Sequence, residues 1–147
     1  MASTMALGPA ITAVLALLRA SVTLTTHVGA RVYPDDRGSV PSRPAFPYVQ
    51  VESSSEVPLN TMGTPSASKY GSEARVNVRV VSQSQSEAQA NAISSVVKGV
   101  LDAQPITIAG YAFAGIEYQQ LTPVTDVVDG CAGIREWVNE YLITVHQ

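Results

Sequence analysis

The sequence predicts an α+β fold, a mostly antiparallel sheet with two helices packed on one face, and two adjacent segments carry most of that prediction. Residues 74–81, ARVNVRVV, alternate valine with polar residues, which is the period-two pattern of a strand with one buried face. Residues 84–101 have apolar side chains at steps of three and four, as an amphipathic helix does. Ser84 and Glu87 have the spacing of a capping box at its start.

The apolar stripe of this second helix is predicted to lie on the sheet. It comprises Ala88, Ala92, Ile93, Val96, Val97, Val100 and Leu101. On the preceding strand, Arg75, Asn77 and Arg79 share the face away from the valines. We expect that face to be amphiphilic, which suits water or a polar subunit interface better than a second core.

The N-terminal segment predicts a first helix over about residues 9–20, with Gly8 and Pro9 at its cap and first turn. Its inward stripe is predicted to be Ile11, Val14, Leu15 and Leu18, with Arg19 and Ser21 meeting solvent near its end. The apolar run 6–18 is shorter than a bilayer span, and no Lys or Arg precedes it. A core helix is therefore favoured over a signal or membrane segment.

The middle of the chain alternates extended and punctuated segments. Residues 30–34 and 48–52 read as strands, the second with Val49 and Val51 on one face. Residues 35–47 form a loop broken by prolines. Residues 53–73 are rich in Ser, Thr, Gly and Pro, which predicts a loop or a long hairpin arm. Because a compact domain rarely keeps such a segment without a use, we treat it as a candidate contact element, with a solvated loop as the alternative.

The last third of the chain reads as further strands. Residues 105–124 suggest two strands joined by tight turns at Gly110 and Gly115. Residues 134–147 predict a long closing strand with Trp137, Tyr141, Ile143 and Val145 on its core face. A helical stripe of Trp137, Val138, Tyr141 and Leu142 is the alternative that remains open there.

Composition limits the classes of function. At 147 residues the chain predicts one domain, residues 1–147, and its net charge of −3 comes without a block of Lys or Arg that would grip nucleic acid. Cys131 is the single cysteine, so no disulfide forms within the chain, and the cytoplasm is the default location.

Catalytic and metal sites are weakly supported. His27, Cys131, Asp126 and Asp129 could be arranged as a thiol site only if the fold brought them together. The adjacent pair Asp35 and Asp36 lacks the spacing of calcium-loop ligands, and Gly110 and Gly115 lack the context of a phosphate-binding loop. We therefore expect no enzyme activity, no metal and no cofactor.

Three segments in order resemble the tail completion, or tail terminator, proteins of long-tailed bacteriophages. They are LLRASVTLTTHVGARVYP (17–34), FPYVQVESSSE (46–56) and ARVNVRVVSQSQSEAQANAISSVVKGVLD (74–102), and the resemblance extends over residues 17–121. The residues that match the family pattern are Arg31, Val32, Tyr33, Phe46, Pro47, Tyr48, Val80, Val81, Ser82, Glu87, Ala88 and Leu101.

The resemblance implies a structural virion protein without catalysis. Its subunits would form a ring, usually a homohexamer, on the head-proximal end of the tail tube, stop tube polymerisation and bind the head connector. DNA would pass through the channel without specific binding, and the negative chain is compatible with that. The partners implied are other copies of the chain, the major tail tube protein and the connector, with no membrane, and assembly would take place in the host cytoplasm.

The predicted contact residues lie in the arm and in a late loop. They are Pro58, Leu59, Met62, Tyr70, Val124, Val127 and Val128, and the loops 35–47 and 124–131 are predicted ring contacts. Two alternatives share these features, another neck or head–tail connector component and a monomeric soluble binding module. Solution mass separates the module from a ring.

Overall fold

A computed structural model describes residues 7–34, 46–58, 71–82, 88–102, 106, 108, 113–125 and 135–146. Within them the helices are α1 (Leu7–Ala20), α2 (Val22–Val28) and α3 (Ala88–Leu101). The strands are β1 (Val32–Pro34), β2 (Tyr48–Pro58), β3 (Gly71–Ser82), β4 (Phe113–Thr125) and β5 (Arg135–His146).

The five strands form one sheet in the order β1-β2-β3-β5-β4. Only β1 and β2 are parallel, and the other three pairings are antiparallel. The predicted α+β class with a mostly antiparallel sheet is therefore confirmed. The closing strand β5 lies between β3 and β4, so the last segment of the chain completes the centre of the sheet.

One face of the sheet packs against the helices. Val76, Val78 and Val80 of β3 are fully buried on this face, which confirms the period-two prediction. Tyr141, Ile143 and Val145 of β5 are buried beside them, and Trp137 packs at the margin, as the strand interpretation of residues 134–147 requires. The helical contribution to this core comes from Ala10, Val14, Leu15, Leu18, Leu24, Val28, Ala90, Ile93, Val97 and Leu101.

The N-terminal helical region consists of two helices, where the sequence pattern predicts one. α1 and α2 meet at an angle of 82°. The break is at Ser21, whose hydroxyl accepts a hydrogen bond from the Leu24 N–H (3.2 Å) and so caps α2. Arg19, two residues before the break, is also held in place, because its side chain donates to the Val32 carbonyl (3.0 Å). Arg19 is exposed, as predicted, while Ser21 is half-buried.

No single helix in the described part of the chain is both long and apolar enough to span a membrane. The bent pair of α1 and α2 meets that criterion of length and composition only when the two helices are taken together.

The buried face of α3 is rotated from the predicted stripe. Ala90 and Ser94 are buried together with Ile93, whereas Ala88 and Ala92 are exposed. The buried face also contains Val97 and Leu101, as predicted, whereas Val96 and Val100 are only partly buried at its margin. The predicted capping box, Ser84 with Glu87, lies outside the described residues.

The described residues of the segment 105–124 include one long strand, β4, and the predicted turn residue Gly110 lies outside them. Gly115 lies inside β4 opposite Thr144, so it is not at a turn. Ile106 and Ile108 are buried but belong to no strand. Gly115 can lie inside a strand because β5 pairs with β4 along its full length and satisfies the backbone groups on that side.

A buried amide joins α3 to the sheet. Asn139 of β5 is 2 % exposed, and its Nδ2 donates to the Val78 carbonyl (3.3 Å), to Ser94 Oγ (3.2 Å) and to the Trp137 carbonyl (3.3 Å). Asn139 has the parity of the apolar core residues of β5, yet its polar group is satisfied. This contact fixes the position of α3 across β3 and β5.

Each strand that flanks the central pair is bulged. The register of β2 against β3 shifts between Ser53 and Ser55, and that of β4 against β5 shifts between Tyr118 and Gln120. Both shifts occur at the level of the Val76–Tyr141 pair, because Ser53 is in register with Val76 and Tyr118 with Tyr141.

Candidate interaction surface

The predicted contact residues are placed only in part. Pro58 ends β2 opposite Ser72, and Val124 lies in β4 opposite Glu136. Residues 53–58 pair with residues 72–76 as the antiparallel base of a hairpin between β2 and β3, which is the hairpin form of the predicted arm. Leu59, Met62, Tyr70, Val127 and Val128 lie outside the described residues.

Of the candidate catalytic residues, the structure describes only His27. His27 is exposed in the last turn of α2. Cys131, Asp126, Asp129, Asp35 and Asp36 lie outside the described residues. Among the side chains that the structure describes, no group of three or more His, Cys, Asp or Glu residues could hold a metal ion.

The most developed polar surface is the face of the sheet opposite the helices, which we call the open face. Residues of β2, β3, β4 and β5 with the parity of Arg75, Asn77 and Arg79 form it. Because the described helices all pack on the other side, this face has no covering layer from the described part of the chain. Its side chains are mostly half-buried by each other.

Arg79 is held between two glutamates from neighbouring strands. Its Nη1 donates to Glu136 Oε2 on β5 (3.0 Å), and its Nε lies 2.8 Å from Glu52 Oε1 on β2 without the alignment of a hydrogen bond. The side chain of Arg79 is 31 % exposed and each glutamate side chain 18 %. Partial burial reduces solvent screening, so this triad links three strands more firmly than a surface pair does.

Arg75 forms a second, more exposed pair. Its Nη1 lies 2.7 Å from Glu140 Oε1, and the other oxygen of Glu140 accepts from Gln120 Nε2 of β4 (3.2 Å). Arg75 is 42 % exposed at its side chain. Taken together, the two ion-pair groups include residues of all four long strands of the sheet.

Asn77 lies between the two ion-pair groups. It is in register with Glu52 on one side and with Glu140 on the other. Its Oδ1 is buried, and no hydrogen-bond donor among the described residues reaches it. The centre of the open face therefore contains a buried acceptor that no described residue satisfies.

Three aromatic residues border the open face near β1. The ring of Tyr48 is 5.8 Å from that of Tyr33 and 5.6 Å from that of Phe46, between centroids. Burial raises the pKa of the Tyr48 hydroxyl, and the neighbouring Glu136 raises it further while Arg79 opposes the shift. Arg31 closes this corner, because its Nε donates to the Pro47 carbonyl (2.8 Å).

The sequence predicted the polar character of this face but not its partners. Arg75, Asn77 and Arg79 follow from the alternation of β3, whereas their pairing with Glu52, Glu136 and Glu140 depends on the register of β2 and β5. The sequence feature that could have indicated these pairs is the presence of opposite charges on separate predicted strands, because cross-strand pairs of this kind stabilise sheets.

The fold and this surface define a class of protein, a small α+β domain whose described helices cover one face of a mostly antiparallel sheet and leave a polar face opposite. The comparisons with known proteins agree with that class. The family profile described as "Tail completion protein gp17" matches residues 12–129. The chain belongs to this family of phage tail proteins.

Solved structures share the fold. A chain from a structure described as "Virion of native gene transfer agent (GTA) particle" superposes with a TM-score of 0.80 at 18 % identity, covering 99 % of this chain and 100 % of that one. A second solved chain has a TM-score of 0.59 at 13 % identity, with 98 % and 97 % covered. No curated protein matches the sequence.

Proposed function

We propose that this protein forms a ring that closes the head-proximal end of a phage tail tube, ends tube polymerisation and joins the tail to the head connector, leaving a channel for DNA. The observation that carries the proposal is the family match over residues 12–129. The partners are other copies of the chain, the tube protein and the connector protein. The protein works by binding, without catalysis or a cofactor.

The charge of the molecule supports passage of DNA without binding. The net charge is −3, and both arginines of the open face are already paired with glutamates. Affinity for DNA comes mainly from cations that neutralise phosphates, so paired arginines contribute little to it. We therefore expect the described surface to bind DNA only weakly.

The hairpin arm is the candidate contact with the tube or with the adjacent subunit. β2 continues to Pro58 and β3 begins at Gly71, so the paired base ends at residues 58 and 72. Since β1 pairs only with residues 49–51, the outer edge of β2 beyond them has no strand neighbour among the described residues. Residues 59–70 connect the two strands at the end of this base.

Deletion of residues 59–70, replaced by a short Gly-containing turn, tests this role. The variant should keep the circular dichroism and melting temperature of the wild type, and it should fail to cap purified tail tubes. A matched control replaces the same residues by a Gly/Ser linker of equal length. Normal capping by the deletion variant would refute the role of the arm.

Particles that lack the protein test the function itself. Under the proposal they should contain overlong tails without heads, because polymerisation has no stop and joining has no adaptor. Tails of normal length that fail to join heads would instead indicate another neck component. A protein that stays monomeric with tube ends present would indicate a binding module.

A further inference from the structure

The helical layer is the least acidic surface of the described molecule. None of the residues in α1, α2 and α3 is Asp or Glu. The exposed cations of this layer are Arg19 on α1, which donates to the Val32 carbonyl, and Lys98 on α3, whose Nζ lies 4.6 Å from the centroid of the Tyr118 ring. Neither has an acidic partner among the described residues, so both positive charges remain uncompensated. Its other exposed positions are small or uncharged, and they include Ala92, Ser95 and the 79 % exposed Val22.

The open face has the opposite character. On the described strands it carries five glutamates, Glu52, Glu73, Glu117, Glu136 and Glu140, against the two arginines Arg75 and Arg79. Both arginines already form ion pairs with glutamates of the same sheet. Glu73 and Glu117 have no cationic partner among the described residues, so negative charge remains for a neighbour.

Association through the edge of β4 is disfavoured. The N–H of Tyr118 donates to Asp102 Oδ1 (3.0 Å), so a potential edge donor is already occupied. The register shift next to Tyr118 distorts the strand, and Pro123 has no N–H to offer. Bulges, prolines and occupied edge groups all hinder the addition of another strand.

We infer that the helical layer of one copy binds the open face of the next copy, head to tail. This rests on the proposed ring, because a cyclic assembly of more than two subunits needs two different surfaces that complement each other. Contact between two open faces would place glutamates against glutamates, and such like-charge contacts disfavour an interface. The helical layer supplies both the cations and the small side chains that a close contact with an open sheet requires.

Two charge-reversed variants test the pairing. The first carries Ala92→Glu and Ser95→Glu on the helical layer, with Ala92→Gln and Ser95→Gln as the size-matched control. The second carries Glu73→Lys and Glu117→Lys on the open face, with Glu73→Gln and Glu117→Gln as its control. All four positions are exposed or half-buried and belong to no described ion pair, so circular dichroism should show an unchanged fold.

Sedimentation velocity of the purified chain measures the result. Each charge-reversed variant alone should associate more weakly than the wild type by about tenfold or more, whereas its glutamine control should lose less. An equimolar mixture of the two reversed variants should regain association, because each reversed surface then meets its complement.

Three results would overturn the inference. These are a mixture that stays monomeric while the wild type associates, reversed variants that associate like the wild type, and a wild type that stays monomeric at its highest soluble concentration. The capping assay with tail tubes is read separately. If the wild type caps tail tubes normally but the mixture of the two reversed variants does not regain association, the head-to-tail pairing is refuted and the proposed function is not.

Discussion

At the residue scale, buried polar groups separate into those with partners and those without. Asn139 has three acceptors and joins α3 to the sheet. The hydroxyl of Tyr141 is buried, and no partner for it is found among the described residues. Burial raises the pKa of the Tyr141 phenol, and nearby Tyr118 and Asp102 raise it further. The fold therefore tolerates this hydroxyl only in its neutral form.

Replacement of Tyr141 by Phe should be neutral or stabilising at pH 7, by up to about 1 kcal/mol, because it removes an unpaired buried hydroxyl and keeps the ring. In the wild type the pKa of Tyr141 is higher in the folded state than in the unfolded state, so on raising the pH this tyrosine loses its proton first in the unfolded state. Stability is then fully present below about pH 10 and is lost as the pH rises above it. Tyr141→Phe should reduce that alkaline loss, and Tyr48, whose pKa is also raised, contributes to what remains.

Urea unfolding at pH 7 and above pH 10 checks this expectation, with Tyr33→Phe at a half-buried ring as the control. A loss of about 2 kcal/mol in Tyr141→Phe at neutral pH would show instead that the hydroxyl has a stabilising partner.

The two arginines of the open face should differ in their contribution to stability. Arg79→Gln leaves Glu52 and Glu136 without their shared cation and should lower the free energy of unfolding by about 1–2 kcal/mol. Arg75→Gln removes one more exposed pair and should cost less than about 1 kcal/mol. Thermal melts at low and high salt measure both, and Glu117→Gln is the control. An equal loss for the two arginines would contradict the role of the triad.

At the element scale, strand parity was predictable and helix orientation was not. Alternation places Val76, Val78 and Val80 on one face whatever surrounds the strand. The face that α3 buries depends on its packing, so the burial of Ala90 and Ser94 could not be read from hydrophobicity. The break at Ser21 was missed because apolar residues continue on both sides, although serine is a common N-cap.

A pair of Gly→Ala substitutions tests the local backbone. Gly29 ends α2 with φ of 61° and ψ of −134°, a conformation that residues with a side chain rarely adopt. Gly29→Ala should therefore destabilise the protein by about 1–3 kcal/mol. Gly99 is exposed inside α3, and a methyl group there meets nothing within 4 Å. Gly99→Ala should stabilise by about 0.5–1 kcal/mol.

Melting temperatures of the two variants give the comparison directly. The same chemical change should lower the melting temperature at Gly29 and raise it at Gly99. A lower melting temperature for both variants would indicate that another molecule packs against the exposed surface of α3 around Gly99.

At the scale of the whole molecule, a single core joins every helix to the sheet. The cluster of buried side chains includes residues of α1, α2 and α3 and of all five strands. The fold class could be predicted because alternation and helical periodicity are local signals. The pairs that form the open face could not, because Arg79, Glu52 and Glu136 are separated in sequence and meet only through register. The predicted arm contacts remain predictions.

One shared core predicts one cooperative unfolding transition. Trp137 packs against the core from β5, so its fluorescence reports on the sheet, while far-ultraviolet circular dichroism reports on the helices. The two urea transitions should coincide at low protein concentration. Separate midpoints would show that α1 and α2 unfold independently of the sheet.

The paired bulges have a geometric consequence for the subunit. A bulge bends its strand and increases the local twist, and here β2 and β4 each carry one at the same level, on either side of the unshifted ladder between β3 and β5. The extra residues Ser54 and Gln119 therefore set the twist of both flanking strands at one level of the sheet.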